Sequence, residues 1–284
     1  MIPVDLNCSI SGPDDGPVLL LGGSLGTTMD MWDPQVRALS ASHRVIRFEH
    51  RGHGGSPVPG GPYTMDDLGS DVVTMLDRLN LARVSYCGLS IGGMVGQWLA
   101  INAPERIDRL VLLCTAPHLP PPSAWHERAA AVRAAGTPEV VAEAVLGRWF
   151  TPEYAATHPD TVARYRAMIC GIDADGYAGC CEAIAGMDLR SGLPGITAPT
   201  LVVAGRQDPS IPPEHGEAIA AAIPGARLEI LDPAAHLASV ERADAVNALI
   251  AAHLGDAGRG VDGAASRADG AASRADGAGS GASS

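Results

Sequence analysis

A serine with the surroundings of a nucleophile, Ser90, lies in the G-x-S-x-G pentapeptide of residues 88–92. The apolar run 84–87 before it is typical of a short buried strand, and residues 93–100 after it have helical composition. On such a strand-to-helix turn the serine backbone is strained and its Oγ stands clear at the top of a sheet. We predict that Ser90 is a nucleophile; the alternative is an ordinary glycine-rich turn.

A nucleophilic serine needs a base, and the base needs a carboxylate to orient it. Asp208 follows the apolar run 200–204, and His236 follows the run 227–231. Hydrolases with this serine turn have the same chain order of serine, acid and histidine. We predict that His236 takes the serine proton and that Asp208 orients the imidazole. The alternatives are a turn role for Asp208 before Pro209 and a histidine at the start of a helix.

Asp232 is a rival for the orienting acid, because it lies four residues before His236. Its closeness in sequence favours a role in capping the local turn. The other histidines lie in predicted turns or helices, and no two of them have metal-ligand spacing with a third partner. We therefore expect neither a metal nor another cofactor.

An oxyanion hole needs two backbone N–H groups beside the nucleophile. One should come from Ile91, directly after Ser90. The other should come from the glycine-rich loop 22–26, where Leu25 is the candidate. The alternative is a flexible turn without a catalytic role.

Strands and helices alternate along the part of the chain that carries these residues. Three amphipathic or apolar helical patterns, at residues 65–79, 215–223 and 242–254, lie among the strand candidates. This alternation predicts an α/β fold with a mostly parallel sheet and helices on both faces. The strand candidates are residues 18–21, 45–48, 84–87, 110–114, 200–204 and 227–231.

The alternation stops between about residues 118 and 190, where no convincing strand occurs. Alanine-rich helical stretches at residues 125–135, 138–149 and 161–169 fill this region. We interpret it as a helical cap inserted after the fourth strand candidate. Such a cap would close over the carboxyl edge of the sheet, where ligands bind in open α/β sheets.

The chain is predicted to contain one domain, residues 1–254, followed by a tail of different composition. Residues 255–284 are rich in Gly, Ala and Ser and repeat the heptapeptide Asp-Gly-Ala-Ala-Ser-Arg-Ala. Such a segment buries too little apolar surface to offset the entropy of ordering, so we predict that it is disordered.

The overall composition narrows the choice of partners. The net charge is −12 and the pI is about 5.1, which argues against nucleic acid or an anionic membrane as a partner. No apolar run approaches the roughly 20 residues of a membrane span, and no signal peptide is recognisable. The six cysteines lack C-x-x-C spacing, so we expect reduced thiols and a cytoplasmic protein. The sequence does not indicate an oligomeric state.

Five stretches carry a resemblance to a known family: residues 24–35, 51–57, 87–94, 148–152 and 176–181. Through them, positions 1 to about 254 resemble the α/β-hydrolase superfamily, and within it the 3-oxoadipate enol-lactonases. The R-G-H-G-x-S stretch is shared widely across the superfamily. The Ser-Leu-Gly-Thr-Thr and Gly-Tyr-x-Gly-Cys-Cys stretches are more specific. Gly23-Ser24 stands where many superfamily members have His-Gly, a departure that the lactonases share.

The resemblance implies hydrolysis of 3-oxoadipate enol-lactone to 3-oxoadipate in the β-ketoadipate pathway of aromatic catabolism. The mechanism would be a Ser-His-Asp acyl-enzyme mechanism that needs no cofactor. Two alternatives in the same fold are another small carboxylic-ester hydrolase and a cofactor-free perhydrolase. An alternative of another class is a non-catalytic ligand-binding protein on a hydrolase scaffold.

The implied substrate is a small-molecule lactone with a carboxylate, so an acidic protein should provide a local cation. Arg128, Arg133 and Arg148 in the predicted cap are the candidates. Trp125 and Trp149 are the candidate apolar walls. The alternative for each arginine is a solvated surface position.

Overall fold

A seven-stranded sheet forms the centre of the computed structural model, which describes residues 2–255. The strands are β1 (Cys8–Ser11), β2 (Val18–Gly22), β3 (Arg44–Phe48), β4 (Val84–Leu89), β5 (Ile107–Leu113), β6 (Thr200–Gly205) and β7 (Arg227–Leu231). Their order is β1-β3-β2-β4-β5-β6-β7. Only the β1–β3 pair is antiparallel within the described residues. The predicted mostly parallel sheet is confirmed.

Helices cover both faces of the sheet. Leu20 belongs to one buried apolar cluster, whereas Leu19 and Leu21 belong to the other, because successive strand side chains point to opposite faces. The helices are α1 (Asp33–Leu39), α2 (Met65–Arg78), α3 (Ile91–Asn102), α4 (Pro122–Ala135), α5 (Glu139–Trp149), α6 (Pro152–Thr157), α7 (Pro159–Cys170), α8 (Ala174–Ala185), α9 (Pro213–Ala222), α10 (Ala238–Glu241) and α11 (Ala243–Gly255).

The parallel arrangement brings the predicted catalytic side chains to one edge. Ser90 directly follows β4, and Asp208 and His236 follow β6 and β7 within a few residues. Because β4, β6 and β7 run in the same direction, their carboxyl ends lie at the same edge of the sheet. This is the edge where open α/β sheets bind ligands.

The strand β1 was not among the predicted strands. It is a four-residue edge strand of sequence Cys-Ser-Ile-Ser, and none of its residues is fully buried. A short, half-exposed edge strand lacks the apolar run that marks the buried strands. Its antiparallel pairing with β3, which the sequence pattern does not reveal, defines it as a strand.

Five helices, α4 to α8, lie between β5 and β6, and we call residues 122–185 the cap. Sequence patterns indicated α4, α5 and α7 but neither α6 nor α8. Asp173 caps α8 by accepting hydrogen bonds from the backbone N–H groups of Asp175 and Gly176. Most of α8 is buried, so it lacks the polar stripe by which an amphipathic helix is recognised.

The last described helix, α11, ends at Gly255. The predicted disordered tail, apart from that residue, lies outside the described residues. Among residues 2–255, no helix is long and apolar enough to cross a membrane.

Candidate active site

Ser90 occupies a strained turn between β4 and α3. Its φ is +59° and its ψ is −119°, a backbone conformation that costs energy for a residue with a side chain. A Cβ on Gly88 would lie 2.2 Å from the Gly92 carbonyl oxygen, and a Cβ on Gly92 would lie 2.1 Å from that of Gly22. Only glycine fits these close approaches, so the G-x-S-x-G spacing is a steric requirement of this turn.

Asp208 and His236 are joined by a hydrogen bond. His236 Nδ1 lies 2.7 Å from Asp208 Oδ2, and each residue is only 3% exposed. Because a carboxylate can only accept, Nδ1 carries the proton, which leaves Nε2 of a neutral imidazole as the basic nitrogen.

The other carboxylate oxygen of Asp208 is held by its own loop. Oδ1 accepts hydrogen bonds from the N–H groups of Ser210 at 2.8 Å and Ile211 at 3.0 Å. The rival acid Asp232 is exposed to solvent. Within residues 2–255 it forms no hydrogen bond with His236. The geometry therefore favours Asp208 as the partner of the imidazole.

The segment around His236 is attached to the cap directly on one side and through Glu241 of α10 on the other. The Leu237 N–H donates to the Trp149 carbonyl at 2.9 Å, and the Ala235 N–H donates to Glu241 Oε2 at the same distance. Glu241 also accepts a hydrogen bond from the Thr151 hydroxyl. The position of the imidazole thus depends on the cap as well as on the sheet.

Ser90 and His236 face one cavity of about 420 Å³, measured with its opening to solvent. Leu25 lies on its wall, as do Trp125 and Trp149 from the cap. The cavity also contains residues that sequence reasoning missed: Ser24, Leu119, Val145, Tyr177, Ile184, Ser210 and Ile211. Tyr177 and Ile184 lie on α8, and recognition of Asp173 as a helix cap could have indicated that helix.

The two amides predicted to form the oxyanion hole are the unused amides of their segments. Within the described residues, the N–H groups of Leu25 and Ile91 have no hydrogen-bond acceptor. Their neighbours all donate: Ser24 to Met31 Sδ, Gly26 to His53 Nε2, Ser90 to the Leu113 carbonyl and Gly92 to the Gly23 carbonyl. Two unused donors beside a serine are what a developing oxyanion requires.

The three candidate arginines separate into two groups. Arg128 and Arg148 line the cavity. Arg133 does not line it; its guanidinium forms ion pairs with Glu182 and, at 3.2 Å, with Asp175. Arg133 and Arg128 are on the same helix, but five residues of an α-helix turn the two side chains to different sides.

The two cavity arginines lack an acidic partner in the part of the chain that the structure describes. Among residues 2–255, neither Arg128 nor Arg148 forms an ion pair with a carboxylate. The Arg128 guanidinium lies 4.7 Å from the centre of the Trp125 ring. Burial, together with the charge of Arg128, lowers the pKa of Arg148. The cavity thus holds positive charge that no described carboxylate neutralises at contact distance.

The chain belongs to the α/β-hydrolase family, whose family model, described as the alpha/beta hydrolase fold, matches residues 16–243. It is 40% identical to 3-oxoadipate enol-lactonase 2 of Acinetobacter baylyi over 86% of this chain and 91% of that protein.

Among solved structures, the enol-lactonase from Burkholderia xenovorans LB400 is 42% identical, with a TM-score of 0.86 over 89% of this chain and 97% of that one. A thermophilic esterase from Thermogutta terrifontis is 28% identical, with a TM-score of 0.84 over 89% of this chain and 94% of that one. One of these two similar structures is named an enol-lactonase and the other an esterase.

Proposed function

We propose that this protein hydrolyses 3-oxoadipate enol-lactone to 3-oxoadipate, a step of the β-ketoadipate pathway in aromatic catabolism. The observation that carries this proposal is one cavity in which Ser90 and His236 face two arginines that have no acidic partner among residues 2–255. The 40% identity to an enol-lactonase over most of both chains supports the same assignment. An anionic lactone matches both the nucleophile and the charge of the cavity.

The first half of the reaction forms an acyl-enzyme. Ser90 Oγ attacks the lactone carbonyl carbon while His236 Nε2 accepts the serine proton. The N–H groups of Leu25 and Ile91 donate to the oxyanion of the tetrahedral intermediate. The ring C–O bond then breaks, and the imidazolium returns the proton to the departing enol oxygen. Asp208 stabilises the imidazolium throughout.

The second half releases the product. The enol is a better leaving group than an alkoxide, and it tautomerises to the ketone. Water, deprotonated by His236, attacks the acyl carbon and frees Ser90 together with a second carboxylate. Each step uses the acid and base groups of the chain alone.

In this proposal the substrate carboxylate contacts Arg128 and Arg148 of the cap. Arg128 and Arg148 can donate N–H hydrogen bonds in the forked geometry that a carboxylate accepts. Trp125 and Trp149 cover the apolar part of the ring, and Trp149 is 3% exposed. We assign no such role to Arg133, because Glu182 and Asp175 already engage it.

The second candidate function is hydrolysis of other small carboxylic esters. The structural similarity to the Thermogutta terrifontis esterase favours it, and the same serine, imidazole and oxyanion amides would act on any ester that the cavity admits. The two candidates differ in the carboxylate, which the enol-lactone carries and a neutral ester lacks.

The test follows the ultraviolet absorbance of the enol-lactone, generated from muconolactone, with p-nitrophenyl acetate assayed in parallel. We expect rapid loss of the lactone, and Ser90→Ala should lower kcat at least about 1000-fold while product binding persists. Fast ester cleavage with an unchanged lactone would instead establish the general esterase. A fully active Ser90→Ala protein would overturn both candidates.

We further propose that the protein acts in the cytoplasm on a free small molecule. All six cysteines are unpaired thiols, as is typical of a reducing compartment. Burial raises the pKa of Cys181 to about 12, so this thiol remains protonated and inert at neutral pH.

A further inference from the structure

Two buried histidines that the mechanism does not use hold the oxyanion loop, residues 23–26. His53 Nε2 lies 3.0 Å from the Gly26 amide nitrogen, and His50 Nε2 lies 3.1 Å from the Gly23 carbonyl oxygen. These contacts flank Leu25, whose N–H has no acceptor among residues 2–255. The loop is therefore hydrogen-bonded on both sides of Leu25, a residue that lines the cavity.

The chemistry of the backbone partners fixes the two imidazoles in opposite roles. The Gly26 N–H can only donate, so Nε2 of His53 must be the unprotonated acceptor. The Gly23 carbonyl can only accept, so Nε2 of His50 must carry a proton. For His53 the remaining ring proton is on Nδ1, which lies 3.3 Å from the Arg51 carbonyl oxygen.

The surroundings of both histidines keep them in these forms. His50 is 3% exposed and His53 is 1% exposed. Burial lowers the pKa of His53 to about 4, and burial together with the neighbouring His53 lowers that of His50 to about 3. Both rings are thus neutral near pH 7, and the lone pair on His53 Nε2 is available to the Gly26 N–H.

A further hydrogen bond connects the loop to the serine turn. The Gly23 carbonyl that His50 engages also accepts the N–H of Gly92, two residues after Ser90, at 3.1 Å. The amides of Leu25 and Ile91 are therefore parts of one hydrogen-bonded unit. A change in the contact at Gly26 alters the distance between the two amides, on which the oxyanion hole depends.

We propose that His53 is a positioning residue that aims the Leu25 N–H at the oxyanion by accepting a hydrogen bond from the Gly26 N–H. This inference rests on the proposed serine mechanism but not on the identity of the substrate. His53 acts through the backbone and contacts no reacting atom. Its loss should therefore weaken transition-state stabilisation more than ground-state binding.

The test compares two substitutions of similar size. His53→Leu removes the acceptor, whereas His53→Gln can place Oε1 near the position of Nε2. The assay uses p-nitrophenyl acetate and the enol-lactone, and urea unfolding with circular dichroism verifies that both variants fold. Hydrogen exchange of the Gly26 amide reports the contact directly.

We expect His53→Leu to lower kcat at least about tenfold, approaching the about 100- to 1000-fold loss that follows removal of one oxyanion donor. KM should change less than about twofold, and His53→Gln should recover most of kcat. Exchange of the Gly26 amide should accelerate in the leucine variant and slow again in the glutamine variant.

Three results would overturn the positioning role: an unchanged kcat in His53→Leu, an equal loss in both variants, or a loss that appears only in KM or in the urea midpoint. Failure of the proposed function has a different signature. If the parent protein cleaves only p-nitrophenyl acetate, the kinetic comparison still applies. If the parent cleaves neither ester, the Gly26 exchange rates decide whether His53 holds the loop.

Discussion

Two regions of this molecule contain buried or half-buried arginines, and the regions differ in whether a carboxylate of the chain contacts the guanidinium. Beneath the sheet edge, the fully buried Arg51 donates Nε and Nη2 to the two oxygens of Asp71 at 2.6 and 2.7 Å. In the cap, the half-buried Arg128 and Arg148 have no carboxylate partner among residues 2–255.

The difference separates an arginine that supports the fold from arginines that can support binding. Burial of an unpaired charge costs free energy, and a carboxylate within the chain offsets that cost at Arg51. Arg148 has no such partner within the described residues, and burial together with the charge of Arg128 lowers its pKa. A ligand carboxylate that enters the cavity would form hydrogen bonds with these arginines, and their pairing would contribute to the free energy of binding.

The largest effect should come from breaking the buried ion pair of Arg51 and Asp71. Asp71→Ala removes both short hydrogen bonds between a carboxylate and the buried Arg51 guanidinium and leaves only the weaker contact with Asp67 at 3.9 Å, so we expect the free energy of unfolding to fall by up to about 3–5 kcal/mol. Urea unfolding measures this loss. The double variant Arg51→Met with Asp71→Leu should recover much of it, since it removes both charges. A loss below about 1 kcal/mol in Asp71→Ala would show that the pair does not stabilise the fold.

An intermediate effect should follow from removal of a cavity arginine. We expect Arg148→Gln to raise KM for the enol-lactone about 10- to 100-fold, because a hydrogen bond to a charged group contributes about 1.5–3 kcal/mol. KM for the neutral p-nitrophenyl acetate should change little, and the urea midpoint should stay the same or rise. Equal changes in KM for both esters would contradict a carboxylate contact.

The smallest effect should come from Arg133, which shares a helix with Arg128 but is ion-paired at the edge of the cap. We expect Arg133→Gln to lower the free energy of unfolding by about 1 kcal/mol or less, as is usual for solvent-accessible pairs. Steady-state kinetics should give an unchanged KM for the enol-lactone. An increase in KM comparable to that of Arg148→Gln would contradict the view that Arg128 and Arg148 can bind substrate and Arg133 cannot.

The sequence predicted the elements that carry strong local patterns. Ser90, Asp208 and His236 each follow an apolar run, and parallel strands bring such positions to one edge. The oxyanion hole stays a prediction, for which the amides of Leu25 and Ile91 are available because neither has an acceptor among residues 2–255.

Sequence patterns could not predict features that depend on contacts between residues distant in the chain. The edge strand β1 is defined by its pairing with β3 rather than by its own residues. The helix α8 is mostly buried and has no polar face to recognise. The pairing of Arg133 depends on Glu182, which comes to it only when α4 packs against α8.

The meeting point of Gly52 and Gly176 limits how the cap can vary. A Cβ on Gly52 would lie 2.2 Å from Gly176 Cα, and a Cβ on Gly176 would lie 2.2 Å from the Gly52 carbonyl oxygen. The backbones of Gly52 and Gly176 are therefore in direct contact, and Gly176 directly precedes Tyr177 of the cavity wall. Even a single methyl group at either glycine would force these two backbone segments apart and so change the shape of the chamber over Ser90.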